Sequence, residues 1–430
     1  MRTIILSALF IASTFQTAFG ILFSDGTGWD GDWLYYVENN KAVIDVYTGR
    51  GGAVTIPSTL DGYPVSSVAG SPGGGVFVRI PYIRDDITSI TIPNSLNTIH
   101  AYAFYGLSGL SNLIIPSSVT TIEEGAFDFC NRITVEASNP YYCSDESGIL
   151  FNKDKSTIVK YPCNKSDGAY LFPDSVTRIA SGAFAFNNYL TTVNIPNFVT
   201  SIGRFAFAGC ENLFSVSIPS SVTVIDNGAF SVCFRLTSIT IPNSIWAIGG
   251  GAFEGCSSLT TVTIPSSVTH IGDYAFYGCS GLTRLTIPST VLYIGHAAFS
   301  YCWNMQSCYF LGEPPFSSGY PFGDRSISTV YYISGTKGWD SLLDNLYYEQ
   351  RVVSIPKPTI RSLVFTSDGT LKLTWTANLG FVYNIESTDS LFNPFISRTT
   401  ITASNEQETW TDSGSSLTEK RFYRIGLVLP

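Results

Sequence analysis

The chain has 430 residues, a formal net charge of −9 and only 13% charged residues. A phosphate backbone would be repelled by that balance, and no basic stripe exists to attract one, so nucleic acid is excluded as a partner class. The length exceeds one ordinary domain, yet a repetitive stack grows without a central core and needs no division for that reason.

The chain opens with Arg2, an apolar stretch from Ile4 to Ala12, and Ala18-Phe19-Gly20. That order reads as an export signal over residues 1–20, with the mature chain beginning near Ile21. The stretch is too short to span a bilayer, and no later run reaches the roughly 18 apolar residues that a membrane helix needs, so no transmembrane segment is expected. Residues 21–86 read as an N-terminal cap and a first irregular repeat. Within them Trp33 to Val37 and Ala42 to Tyr47 are strand-like, Val54-Thr55-Ile56-Pro57 anticipates the regular repeats, and Gly70 to Gly75 is a loop.

Residues 87–310 carry a fixed frame. The prolines of Ile-Pro fall at Pro93, Pro116, Pro196, Pro219, Pro242, Pro265 and Pro288, with Pro173 of Phe-Pro in phase, in steps of 23 residues except one of 57. Ala-Phe pairs keep step at Phe104, Phe127, Phe184, Phe207, Phe230, Phe253, Phe276 and Phe299. A 23-residue period bearing Leu-x-x-Val-x-Ile predicts a mainly β leucine-rich-repeat solenoid, in which each repeat buries its apolar face on its neighbours. In Leu259 to Pro265, Val262 and Ile264 point to one side of a strand and Thr261 and Thr263 to the other. Pro265 lacks the N–H that a ladder requires, so the strand stops there. Ser266 to Ile271 is read as a turn, and Tyr274-Ala275-Phe276 brings the chain back. The strands are expected to form one parallel sheet on the concave face.

The 57-residue step holds an inserted segment, 135–169, with Gly148 to Phe151 and Thr157 to Tyr161 flanking a hairpin turn. Residues 311–354 read as a C-terminal cap, with a strand over Thr329 to Ile333 and a short helix from Gly338 to Leu346. Residues 355–358, Ile-Pro-Lys-Pro, form a stiff linker. The alternating stretches Leu371 to Trp375, Phe381 to Glu386, Arg398 to Thr402, Glu408 to Thr411 and Phe422 to Leu427 predict a small antiparallel β-sandwich-like domain over 359–430.

Six of the nine cysteines, Cys130, Cys210, Cys233, Cys256, Cys279 and Cys302, lie three residues after the Phe of Ala-Phe, and Cys308 fills the Val slot of a last strand. They read as small core hydrophobes. Cys143 and Cys163 alone stand outside the frame and flank the inserted hairpin. In an exported protein they are expected to form a disulfide.

Repeats such as Leu236 to Ser244, followed by Ile248-Gly249 and Ala252-Phe253-Glu254-Gly255-Cys256, resemble the BspA-type leucine-rich repeats of bacterial and some protist surface proteins. The resemblance spans roughly residues 29–350 and includes the Asn139-Pro140-Tyr141 insertion and the Gly338-Trp339 end segment. It implies a secreted or surface-exposed protein that adheres to proteins or other cells. The C-terminal stretch resembles a fibronectin type III domain through Leu373-Thr374-Trp375, Tyr383 to Glu386 and Phe422 to Ile425.

No catalytic, metal or cofactor set is expected. The histidines His100, His270 and His296 have no partner at ligand spacing, and Ser334-Gly335-Thr336-Lys337 matches a serine-nucleophile motif without its companion motifs. The candidate binding face is the outward ladder Ser89, Thr91, Thr192, Asn194, Ser215, Ser217, Ser238, Thr240, Thr261, Thr263, Arg284 and Thr286, which equally suits a sheet kept soluble by cross-strand hydrogen bonds. Tyr274, Tyr277 and Tyr293 on the turns offer a rival site. The function expected is a non-enzymatic binding or adhesion protein taking a protein or glycan ligand. The alternative is a structural component of a matrix or envelope that associates with itself.

Overall fold

A computed structural model describes residues 21–22, 27–71, 74–77, 85–323, 329–339, 351–355, 357–366, 370–377, 381–389, 394–412 and 421–428. The expected export signal and most of the helix from Gly338 to Leu346 fall outside the described residues.

Three ladders, each running over several successive turns, close the regular turns. The first is the parallel sheet expected from the Val-x-Ile frame, in which Ser215–Ser217, Ser238–Thr240 and Thr261–Thr263 pair in register. The second runs through the segment read as a plain turn. There, two-residue strands such as Ala247–Ile248, His270–Ile271 and Tyr293–Ile294 stack in parallel, so the expectation of a single sheet is corrected to two. The third joins the Ala-Phe corners, where each Phe N–H donates to the Ala carbonyl of the next turn, as Phe253 does to Ala275 at 2.8 Å.

Inside this frame one buried ring per turn rests on the next. Phe230 and Phe253 lie 5.7 Å apart and nearly parallel, Phe253 and Phe276 5.2 Å, and Phe276 and Phe299 5.4 Å. The in-frame cysteines run beside this column. Each thiol donates to the Phe carbonyl one turn back, as Cys279 does to Phe253 at 3.1 Å and Cys256 to Phe230 at 3.2 Å. Burial pushes Cys210, Cys256 and Cys302 up to about 12, so these thiols are inert packing groups at neutral pH.

The N-terminal end is closed by an antiparallel meander of Thr27–Asp30, Trp33–Glu38 and Lys41–Tyr47, whose last strand passes into the parallel stack through Tyr63–Val68. Gly52–Thr55 pairs in parallel with Ile87–Thr91, as the early Val-x-Ile signal anticipates. At the far end Ser307–Phe310, Thr329–Ile333 and Arg351–Ile355 continue the first ladder. Beyond it, the described residues form six strands in two antiparallel sheets, one of Ile360–Phe365, Leu371–Thr376 and Gln407–Asp412, the other of Val382–Thr388, Ile396–Thr402 and Phe422–Val428. Leu373, Trp375, Tyr383 and Ile385 are buried among them.

The insertion contains a concealed turn of the solenoid. Tyr142–Ser144, Leu150–Asn152 and Thr157–Lys160 form an antiparallel meander, and its last strand pairs in parallel with Arg178–Ile179. Tyr161 stands 23 residues before Phe184, stacks on it at 4.8 Å and donates its N–H to Ala183 at 2.7 Å, so it replaces the missing phenylalanine. The expected disulfide is not formed. The Cys143 thiol donates to the Asn152 carbonyl at 3.3 Å, whereas the Cys163 thiol donates to Ala185 at 3.4 Å, and both cysteines are free. The physical reason is that Cys163 belongs to the inner column after all: its N–H donates to the Cys130 carbonyl of the preceding turn at 3.2 Å.

Phe253 is fully buried between two rings, and truncation leaves a cavity that neighbouring turns held in register cannot fill. Phe253→Ala is therefore expected to cost about 3–5 kcal/mol in denaturant unfolding, against less than about 0.5 kcal/mol for the exposed control Ser238→Ala. Similar losses for the two variants would contradict the inward assignment.

Candidate functional site

Three surfaces are candidates, and their geometry separates them. The first is the outward ladder. Thr192, Ser215, Ser238 and Thr261 align in register, as do Asn194, Ser217, Thr240 and Thr263. Ser89 and Thr91 belong to a separate two-stranded sheet, paired with Ala53 and Thr55, and Arg284 and Thr286 to a third sheet, in line with Ser307 and Tyr309. The ladder is thus outward-facing throughout but divided into three patches. Ser217 Oγ donates to Asn194 Oδ1 at 3.0 Å, so part of its polarity is spent within the sheet.

The second candidate is a cleft of about 350 Å³ at the phase break, lined among others by Glu123, Glu124, Asp128, Tyr142, Lys160 and Arg178. Lys160 occupies the slot that Ala fills in regular turns and is buried. Its ammonium lies 3.3 Å from Asp128 and donates to the carbonyls of Gly182 at 3.1 Å and Ala185 at 3.3 Å. In regular turns the carbonyl equivalent to Ala185 accepts a backbone N–H from the turn before, as Ala208 accepts from Phe186 at 2.8 Å. The concealed turn has Pro162 after Tyr161 and reaches its cysteine one residue early, so Lys160 and Cys163 supply the missing donors. Burial raises the Asp128 carboxyl above its ordinary range, and the Lys160 ammonium opposes this. Glu123 is likewise engaged, by His100 Nδ1 and the Ala101 N–H, both at 3.0 Å. Most charges of the cleft therefore serve the fold, although the buried Glu124 Oε1 has no hydrogen-bond partner among the described residues.

The third candidate is an aromatic band on the last regular turns. Along the second ladder Trp246 meets His270 at 5.9 Å, His270 meets Tyr293 at 6.1 Å and Tyr293 meets Phe316 at 6.0 Å. Trp246 is 49% exposed and Phe316 71%. Round the corner Tyr274 meets His296 and Tyr277, Tyr277 meets Tyr301 at 4.8 Å, and Tyr301 meets Trp303 at 5.1 Å, all with rings steeply inclined. Trp303 is 58% exposed. Asp273 joins the two halves, accepting the His296 N–H at 2.7 Å and the Tyr293 hydroxyl at 3.5 Å.

Two rings of this band sit on strained backbone. Tyr274 and Tyr301 have φ of 58° and 61°, in slots that other turns fill with glycine, such as Gly228 and Gly278. An L-residue there costs about 1–2 kcal/mol relative to a right-handed conformation. Elsewhere the same exception has a packing use: the ring of Tyr102 covers Gly125 of the next turn and that of Phe186 covers Gly209, leaving no room for a Cβ at either. Tyr274 is followed by Ala297 at the equivalent slot and instead turns to His296 and Tyr277. The sequence points to Tyr274, Tyr277 and Tyr293 but not to Trp246, His270, His296, Tyr301, Trp303 and Phe316 as members of the band. The usable signal was a tyrosine standing in a glycine slot of the frame.

Among the described residues no group of three or more His, Cys, Asp or Glu side chains is placed to hold a metal ion, and no helix is long and apolar enough to cross a membrane.

The model of the BspA type leucine-rich repeat region matches in six copies, over residues 82–164, 163–256 and 225–341. The chain belongs to the BspA-type leucine-rich repeat family. Two solved structures are among those to which the chain is similar. A leucine rich cell surface protein from Faecalibacterium prausnitzii is 23% identical over 67% of this chain and 95% of its own, with a TM-score of 0.39. A leucine-rich repeat protein from Bacteroides ovatus is 23% identical over 76% of this chain and 78% of its own, with a TM-score of 0.40. A comparison with curated proteins gives no match. The BspA-type frame accounts for the buried columns, whereas Lys160 and the aromatic band are departures from it within this chain.

Lys160→Met leaves Asp128 buried without its cation and takes one donor each from the Gly182 and Ala185 carbonyls, and is expected to cost about 3–5 kcal/mol in denaturant unfolding. Tyr301→Gly relieves the strain of the positive φ but loses the ring contacts with Tyr277 and Trp303, and the two offset to a change of less than about 1 kcal/mol. The reverse ranking would contradict the division between a structural cleft and a surface band.

Proposed function

We propose that this protein is exported and acts outside the cell as a non-enzymatic binding protein, with its ligand contact on the aromatic band of the solenoid. Family membership and the leader-like first twenty residues support the surface location. The band itself carries the reading of its face. Tyrosine and tryptophan dominate protein contacts because they offer large rigid area with a polar tip, and here they stand exposed and contiguous across several turns. Isolated exposed apolar residues need no explanation, but a contiguous patch of them marks an interaction site. The Ser/Thr ladder, with hydrogen bonds of its own, is read as a solvated flank. The C-terminal unit, with six strands in two sheets, is read as a fibronectin type III-like spacer or attachment module.

The reading is tested by presenting the full chain to a panel of extracellular matrix proteins and glycans beside two variants. Tyr301→Gly with Trp303→Ala is expected to abolish capture of the bound component, and Ser215→Ala with Ser238→Ala and Thr261→Ala to retain it. Loss with the ladder variant alone would return the site to the Ser/Thr face. Association of the chain only with itself would favour the structural alternative.

A further inference from the structure

Charge around the aromatic band is one-sided. Among the described residues from Leu236 to Gly323 the single lysine or arginine is Arg284, against three acidic residues, Glu254, Asp273 and Glu313, and the pair Asp324-Arg325 that follows lies outside the described residues. Arg284 lies on the first ladder, in register with Ser307. Two of the acids stand in the band. Asp273 bridges its halves, and Glu254 occupies the slot one turn before Tyr277, where the Gly255 N–H donates to the Tyr277 carbonyl at 2.7 Å. The Glu254 carboxyl is half-buried beside Gly251, and burial raises its pKa.

The rings are arranged as walls. Successive planes are inclined by 69° between Tyr274 and Tyr277, 64° between Tyr277 and Tyr301, and 74° between Tyr301 and Trp303. Such a series presents ring faces in several directions around a corner, where a flat platform for a sugar ring would need them coplanar. An aromatic face carries negative potential, and several faces with a carboxylate attract a cation more strongly than either does alone.

We propose that the corner formed by Tyr274, Tyr277, Tyr301 and Trp303, with Glu254 and Asp273 beside it, receives a lysine or arginine side chain from a cationic segment of a protein partner. This rests on the reading of the band as the contact surface. It adds the chemistry of the partner, which neither the frame nor the family specifies. The acidic chain as a whole, with net charge −9, favours approach of such a segment, and Glu254 and Asp273 place two carboxyl groups of that charge at this corner. The two strained tyrosines acquire a purpose on this account, since glycine in either slot would ease the backbone but remove a wall.

The test titrates the full chain at low salt with a synthetic peptide of alternating lysine and glycine, and with a glutamate-glycine peptide of equal length, by calorimetry. The lysine peptide is expected to bind and the glutamate peptide not. Tyr301→Gly with Trp303→Ala should weaken binding about tenfold or more with unchanged melting, since one residue suits its backbone slot and the other is largely exposed. Glu254→Gln, which keeps the shape, should weaken it severalfold and flatten its salt dependence. No binding of the lysine peptide, equal binding of both peptides, or equal binding by parent and variants would each overturn the inference. If the band variant loses a matrix ligand while the lysine peptide fails to bind the parent, the band remains the contact surface and only the cationic partner is refuted.

Discussion

One buried ring per turn, held in contact with the ring before and the ring after, is the constraint on which this molecule depends. The separation of 5.2–5.7 Å from Phe230 to Phe299 leaves no slack for a turn of different length, because a residue added or lost would lift the ring from its column and break the Phe-to-Ala ladder beside it. The 23-residue period, the proline that ends each first strand and the cysteine that donates to the previous Phe carbonyl all serve to keep that ring in register. What the constraint does not touch is the outward face of each turn. Variation is free there, and there the last turns place their tyrosines and tryptophans.

The insertion shows how much departure the constraint tolerates. Phe104 and Phe127 stack at 5.7 Å, and a second column starts at Tyr161, but among the described residues no ring contact joins Phe127 to Tyr161. The buried residues divide into two clusters at the same place, and the second ladder stops at Thr121–Ile122 before resuming at Thr157–Lys160. Side chains mend the break. Tyr142 offers its hydroxyl to the Ile122 N–H at 2.9 Å, and Lys160 and Cys163 take over donors that the shortened turn lacks. The cleft is a consequence of that repair, so its buried ion pair is better understood as a device of the fold than as chemistry awaiting a substrate.

Legibility in the sequence divides along the same line. The buried columns are legible because Pro, Ala-Phe and Cys repeat in phase, and the first ladder because Val-x-Ile alternates with Thr and Ser. The second ladder is not, since two residues such as His270-Ile271 are too few to show a period. Cys163 misleads because the count from the preceding Phe127 runs through an insertion, whereas the count of 23 from Tyr161 to Phe184 places it beside the column. The aromatic band is half legible. Tyr274 and Tyr301 stand in glycine slots that the frame exposes, but Trp246 and Phe316 become neighbours of His270 and Tyr293 only when the second ladder stacks them.

The central claim is that one column of buried rings carries the fold and, among the described residues, is interrupted once, between Phe127 and Tyr161. Native-state hydrogen exchange across the whole chain tests it most directly, because contiguous cooperative units open together. The account predicts two protected blocks, one holding the amides of Ile99, Phe104 and Ile115 and the other those of Phe184 to Phe276, with different opening free energies and a boundary within the insertion. A single block that releases all of these amides together would contradict it.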